Sequence, residues 1–220
     1  MHSAATVITA PSGLSQSTDP AVFTSLYNSE VNLCVWQREL ADEVTQYSEY
    51  LLQQYPHATE IRLSATLQEL SLALEKQLPA HPQRQAFIDN VMILADMLIC
   101  LLGAKAVGLR LCVTGTATCP RFHVDKLGCR LITTYSGPAT EWLDNADIDR
   151  SKLGPGAEGK ADENSGLYTK YNCIHQLKHG DVALLKGELW PGNEGKGIVH
   201  RSPALKLTQR RLFVTMDAIT

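Results

Sequence analysis

With 220 residues, 44% hydrophobic and 20% charged, the chain can bury one substantial core and has the composition of a soluble globular protein. A formal net charge of -3 and no basic patch argue against nucleic acid or an anionic membrane as partner. Six cysteines spread along the chain without a signal peptide suggest reduced thiols, so a cytoplasmic protein is expected.

Residues 1–19 are small and polar, with no Lys or Arg ahead of a short apolar run, and read as a disordered tail. Asp19-Pro20 then opens a short helix, with the acid as cap and proline at the first helical position. Residues 31–36 alternate like a strand. Three helices follow. The first, over residues 39–55, carries Leu40, Val44, Tyr47 and Leu51 at helical spacing and stops at Pro56. The second has Leu63, Leu67, Leu70, Leu74 and Leu78, with Thr66 and Glu69 as a capping pair. The third spans residues 83–102 and ends at Gly103; Asp89, Asn90 and Asp96 inside its apolar run mark it as a core helix, not a membrane span.

From residue 105 the texture changes to short strand-like runs: 106–113, 121–125, 129–135, 181–186, 197–200 and 211–216. Short strands behind a helical block suit an α+β protein. The expectation is a β-sandwich or jelly-roll barrel, as a single domain over residues 20–220. Residues 20–104 would form a helical layer packed on one sheet, and residues 105–220 the barrel core. Residues 144–171, rich in Gly, Asp and Lys and without a period, would be a lid over the barrel mouth.

In Phe122-His123-Val124-Asp125, an extended backbone puts an imidazole and a carboxylate on one face, able to grip one ion. His200, after a second apolar run, is the best third ligand. Two histidines and one carboxylate make the facial triad of non-haem Fe(II) oxygenases, with positions left open for substrate and dioxygen. With seven histidines and 23 acidic residues, a His-x-acid match is expected about once by chance. A second one, His179-Gly180-Asp181, reads as a glycine turn entering a strand.

The order of motifs resembles the double-stranded β-helix dioxygenases that use Fe(II) and 2-oxoglutarate. Their His-x-Asp, apolar strand, Gly-Asp-apolar strand, distal His and later basic residue match His123-Val124-Asp125, Leu131 to Tyr135, Gly180 to Leu185, His200, and Arg210 or Arg211. Over most of its length the chain also resembles a bacterial family of uncharacterised proteins, through Phe122 to Asp125, Gly137-Pro138 with Thr140 to Leu143, Trp190 to Asn193, and Val199 to Pro203. The dioxygenase resemblance implies that the jelly roll is a double-stranded β-helix with an N-terminal helical layer, and that the reaction is hydroxylation of a small molecule or a protein side chain. His123, Asp125 and His200 would hold Fe(II), and Arg210 or Arg211 would anchor 2-oxoglutarate, with Tyr135 and Thr133 assisting from one strand face. The usual Arg-x-Ser pairing is absent, since Leu212 and Phe213 stand two places after these arginines. The oligomeric state is left open by the sequence.

The main alternative is a non-catalytic zinc-binding protein of cupin-like fold that handles metal, because the same three ligands suit zinc. Cys112, Cys119, His123 and Cys129 fit no paired zinc-site spacing and read as ordinary residues. Gly154 to Lys160 fits seven positions of a phosphate-binding loop. Ala161 then stands where a hydroxyl should bind Mg²⁺, and no buried strand precedes the run.

Overall fold

Capping and burial explain where the elements of the computed structural model begin and end; it describes residues 13–55 and 58–220. Most of the expected tail, residues 1–12, lies outside them, but Leu14–Ser17 forms strand β1, parallel to β2 (Leu33–Trp36). Between them runs a 3-10 helix, Pro20–Tyr27, whose Asp19 carboxylate accepts from the Ala21 N–H at 2.9 Å. Helix α1 (Asp42–Gln54) places Asp42 and Glu43 in its first turn, against the positive end of the helix dipole.

The expected leucine helix is divided. Thr59–Ala65 is strand β3, with Leu63 in it, and α2 (Leu67–Gln77) starts only after Thr66. The cap fixes that start: the Glu69 carboxylate accepts from the Thr66 N–H at 3.0 Å and hydroxyl at 2.8 Å. Helix α3 (Arg84–Leu102) ends at Gly103, whose φ of 61° is the left-handed turn that favours glycine. It is also the one helix among the described residues long and apolar enough to cross a membrane; Phe87, Ile88, Val91, Leu94, Ala95 and Leu98 are buried in the core.

The remaining elements are β4 (Ala106–Thr114), β5 (Cys129–Ser136), β6 (Glu141–Leu143), a single turn α4 (Asp162–Ser165), β7 (Ile174–Gln176), β8 (Val182–Lys186), β9 (Val199–Arg201) and β10 (Arg211–Ile219). They build a seven-stranded sheet in the order β1-β2-β8-β5-β10-β4-β3 and a three-stranded sheet in the order β7-β6-β9. The strand expected over residues 121–125 is absent; only an isolated bridge joins His123 to His200 there.

Each face of the large sheet has its own cover. Cys34, Leu131, Tyr135, Leu184, Val214 and Met216 point to one side and pack with side chains of the 3-10 helix and α1 to α3. Leu33, Val35, Cys112, Ile132, Ala183, Leu185 and Phe213 point to the other, where they meet Trp142 of the smaller sheet and Ala139, Leu177 and Ile198 beside it. This double cover is why all five residues of β8 are buried and why that strand does not alternate. A third cluster of Phe122, Leu143, Leu167 and Val199 packs the far side of the small sheet against residues 144–171.

Gly137, just after β5, has φ +84°, and a Cβ there would run into the Arg210 carbonyl oxygen and crowd Arg211 Cα. Gly137→Ala is expected to lose at least about 2 kcal/mol of stability in urea unfolding, from strain and collision together. A loss below about 0.5 kcal/mol would contradict this account of the β5–β10 junction.

Candidate metal centre

The backbone N–H groups of His123 and His200 each donate to the other's carbonyl at 3.0 Å, which sets the two residues side by side. Their rings lie 4.5 Å apart, and Asp125 completes the group: its Oδ2 is 3.6 Å from His200 Nε2 and its Oδ1 is 3.9 Å from His123 Nε2. One ligand atom from each residue falls within 4.8 Å of the others, and no other group of this kind occurs among the described residues.

The imidazole tautomers follow from hydrogen bonding. His123 Nδ1 sits 2.9 Å from the Arg121 carbonyl oxygen, and His200 Nδ1 sits 3.1 Å from that of Ile198. A carbonyl oxygen only accepts, so each neutral ring carries its proton on Nδ1 and offers a lone pair at Nε2 toward Asp125. This outer hydrogen bond is the one that orients metal-binding histidines. Burial lowers the His200 pKa to about 4 against the opposing pull of Asp125, which keeps the imidazole neutral at physiological pH.

Asp125 is held from behind. Arg130 Nη1 donates to both its oxygens at 3.0 Å, and the rest of that guanidinium grips Asp217 at 2.8 and 2.6 Å. The ligand loop has a second anchor, Asp162. Its carboxylate accepts from Arg121 Nε at 2.7 Å, the Phe122 N–H at 2.8 Å and Arg201 Nη1 at 3.2 Å. Arg201 lies over the Phe122 ring at 4.2 Å. Residues 144–171 thus latch directly onto the segment that carries His123. Their glycine-rich run forms no phosphate cradle: Gly154–Ala157 is a 3-10 turn, and the Lys160 amine pairs with Glu158 at 2.9 Å.

The two arginines separate. Arg210 donates to the carbonyls of Leu52 and Tyr55 at the end of α1 and faces away from the histidines. Arg211 turns inward, 2% exposed, and donates to Thr134 Oγ1 at 3.0 Å and Thr140 Oγ1 at 2.8 Å, with Ser202 Oγ at 3.5 Å. Its Nε has no partner, and none of the described carboxylates pairs with it. Burial pushes its pKa down to about 10, so it stays charged at neutral pH. His123, His200, Thr140, Ser202 and Arg211 line a single cavity.

Tyr135 and Thr133 do not reach that cavity. Tyr135 packs on Phe87 and donates to Asn90 of α3 at 2.9 Å; Thr133 pairs across the sheet with Val182 and Val214 of the same helix-covered face. Thr134, one residue away, has the inward position. Trp142 stacks on His175 at 4.4 Å, while Trp190 packs with Tyr27 and Lys186 on the helix-covered side, away from the centre. Cys112 and Cys129 point to opposite faces of the large sheet, so the cysteines do not converge. Sequence reasoning missed Arg130, Thr134 and Asp162; Thr140 and Ser202 lie in segments quoted for the family resemblance, which gave neither an individual role. Arg211 draws its partners from three separate segments, and no local spacing signals that.

No curated protein matches the chain in sequence. Several solved structures share its fold at low identity. JOX2, solved in complex with 2OG, Fe and JA, superposes at a TM-score of 0.51 with 8% identity, covering 96% of this chain and 75% of that one. A putative oxygenase from Shewanella oneidensis gives 0.50 with 9% identity, covering 94% and 89%. A rice dioxygenase for auxin oxidation gives 0.47 with 13% identity over 83% of this chain, which spans 65% of that protein's length. Residues 17–217 match the family model described as protein of unknown function, DUF1826, and the chain belongs to that family.

Proposed function

We propose that this protein is a non-haem Fe(II)- and 2-oxoglutarate-dependent oxygenase built on a double-stranded β-helix, and that it hydroxylates a substrate C–H bond. The observation that carries the reading is Arg211: a buried guanidinium without a carboxylate partner, in the cavity lined by His123 and His200, which converge with Asp125. An unpaired buried charge is costly, and a carboxylate arriving from solution removes the cost. The guanidinium fork can give that carboxylate two parallel hydrogen bonds, with Thr134, Thr140 and Ser202 hydroxyls around it. JOX2, of like fold, was solved with 2OG and Fe, which agrees with this assignment.

The residues fit the ion. Both histidines offer Nε2, Asp125 offers an oxygen, and three protein ligands leave positions for cosubstrate and dioxygen. When bound, iron with 2-oxoglutarate supplies the oxidation: dioxygen gives one atom to the substrate as a hydroxyl and the other to succinate, with release of carbon dioxide. The protein's own part is positional. Arg130 and Asp217 hold Asp125, the Arg121 and Ile198 carbonyls hold the imidazoles, and Arg211 orients the cosubstrate from its far end. The structure favours this over simple zinc handling, because an ion-storage site has no use for an unpaired buried cation in the same cavity.

The test is anaerobic titration of 2-oxoglutarate into the Fe(II) protein, watching for the weak visible charge-transfer band of the cosubstrate on iron. The band is expected in the parent and absent in His200→Ala. Stoichiometric zinc with no response to 2-oxoglutarate would overturn the oxygenase reading.

A further inference from the structure

Two neighbouring cavities share a wall on the seven-stranded sheet. The first is lined by His123, His200, Arg211 and Phe213; the second by Arg62, Gly108 and Asp217; and Arg110, Arg130 and Thr215 line both. Gly108 contributes no side chain to the second cavity, and Arg62, at its solvent end, is 74% exposed. Arg110 therefore stands between the solvent-facing cavity along β3 and β4 and the cavity of the two histidines.

The charges along these two cavities do not balance. Arg130 is matched by Asp217, and its second acid, Asp125, is counted with the metal that it would hold. Arg62 and Arg110 share one acid, Glu60, and Arg211 has none. Three guanidiniums thus face one carboxylate. Arg110 and Arg211 each carry a buried Nε without a partner, and they flank the same ring, with Phe213 5.6 Å from the first and 4.3 Å from the second. The functional reading gives Arg211 to the distal carboxylate of 2-oxoglutarate, which leaves a surplus of one positive charge, shared by Arg62 and Arg110 around Glu60.

We propose that the substrate is a small organic acid carrying one carboxylate, which Arg110 receives while the rest of the molecule extends toward His123 and His200. A monoanion meets the remaining single charge, whereas a phosphate ester would bring two. The unpartnered Arg110 Nε is a charged donor for one oxygen of an incoming carboxylate, while Nη2 stays on Glu60 at 3.0 Å. Arg62 acts earlier, as a cation at the mouth that raises the local concentration of anions. Arg110 would be a substrate-binding residue that sets specificity without touching the metal. This inference rests on the oxygenase reading and deepens it.

The test uses the Zn(II)-loaded protein saturated with 2-oxoglutarate, because zinc has no redox chemistry and the complex cannot turn over. Benzoate, phenylacetate and hexanoate, each beside its primary amide, and phenyl phosphate are titrated by ligand-observed NMR. The best acid is expected to bind at least about tenfold more tightly than its amide, and more tightly than phenyl phosphate, as suits loss of a charge-assisted hydrogen bond. In Arg110→Gln the acid preference should fall by about tenfold while 2-oxoglutarate binding persists. Arg62→Gln, at an exposed position with little folding risk, should reduce it by a smaller factor. Lys152→Gln, in a separate cavity beside His123, should leave it unchanged.

Amides binding as well as acids, no acid binding, phosphate preferred over carboxylate, or a preference that survives Arg110→Gln or follows Lys152 would each overturn the proposal. If zinc or 2-oxoglutarate fails to bind the parent, the oxygenase reading falls and this inference with it. If both bind and no acid preference is seen, only the substrate class falls.

Discussion

His200→Ala should weaken Fe(II) binding by more than about a hundredfold, measured by anaerobic metal titration, since even removal of an outer hydrogen-bond partner from a metal site costs 10- to 100-fold. His200 is the most enclosed of the three ligands, and its removal leaves His123 and Asp125 alone, with Asp125 already engaged by Arg130. Two ligands on a short loop give little purchase on the ion. The backbone bridge between His123 and His200 does not involve the side chain and survives, so the variant should remain folded. His179→Ala is the informative control. It removes the histidine of the second His-x-Asp match, which forms a turn where Asp181 accepts from the Lys178 N–H at 2.8 Å, and metal affinity should stay within about threefold of the parent. Equal affinity in His200→Ala and the parent would sink the ligand assignment.

Arg211→Met should separate cosubstrate binding from folding. Loss of a charge-assisted pair costs about 1.5 to 3 kcal/mol, so 2-oxoglutarate affinity should fall roughly 10- to 150-fold, with Fe(II) affinity nearly unchanged. The metal-free protein should melt at the same temperature or higher, because methionine fills the space without burying an unpaired charge. A purely structural arginine would give the opposite pattern: a lower melting temperature and unchanged cosubstrate affinity. Arg211→Lys keeps the charge but not the planar fork, and should fall between parent and methionine variant. Calorimetric titration with 2-oxoglutarate and a thermal melt of the same samples decide it.

The sequence by itself carried much of this. The spacing of His123 and Asp125 and the distant His200 were legible because metal chemistry restricts the residue types that can serve. The helices over residues 39–55 and 83–102 were legible from their apolar period, and the start of α2 from its capping pair. β3 was hidden because Leu63 extends the leucine spacing of α2, so a helical period ran unbroken through a strand. β6 and β7, three residues each, are too short to show any period.

What only the tertiary structure decided is the parity of each strand. Helices cover one face of the large sheet and the small sheet covers the other, so both faces of β5 and β10 are buried and hydrophobicity does not tell them apart. A one-residue difference in register exchanges every inward side chain for an outward one. That is why Thr134 rather than Thr133 meets the guanidinium, and why Arg211 rather than Arg210 enters the cavity. The supports of the site share this origin. Asp217 behind Arg130, Asp162 behind Phe122, and Thr140 beside Arg211 are neighbours only through strand pairing and loop packing across dozens of residues. Local spacing pointed to His123 and Asp125 as candidate ligands; long-range register decided what surrounds them.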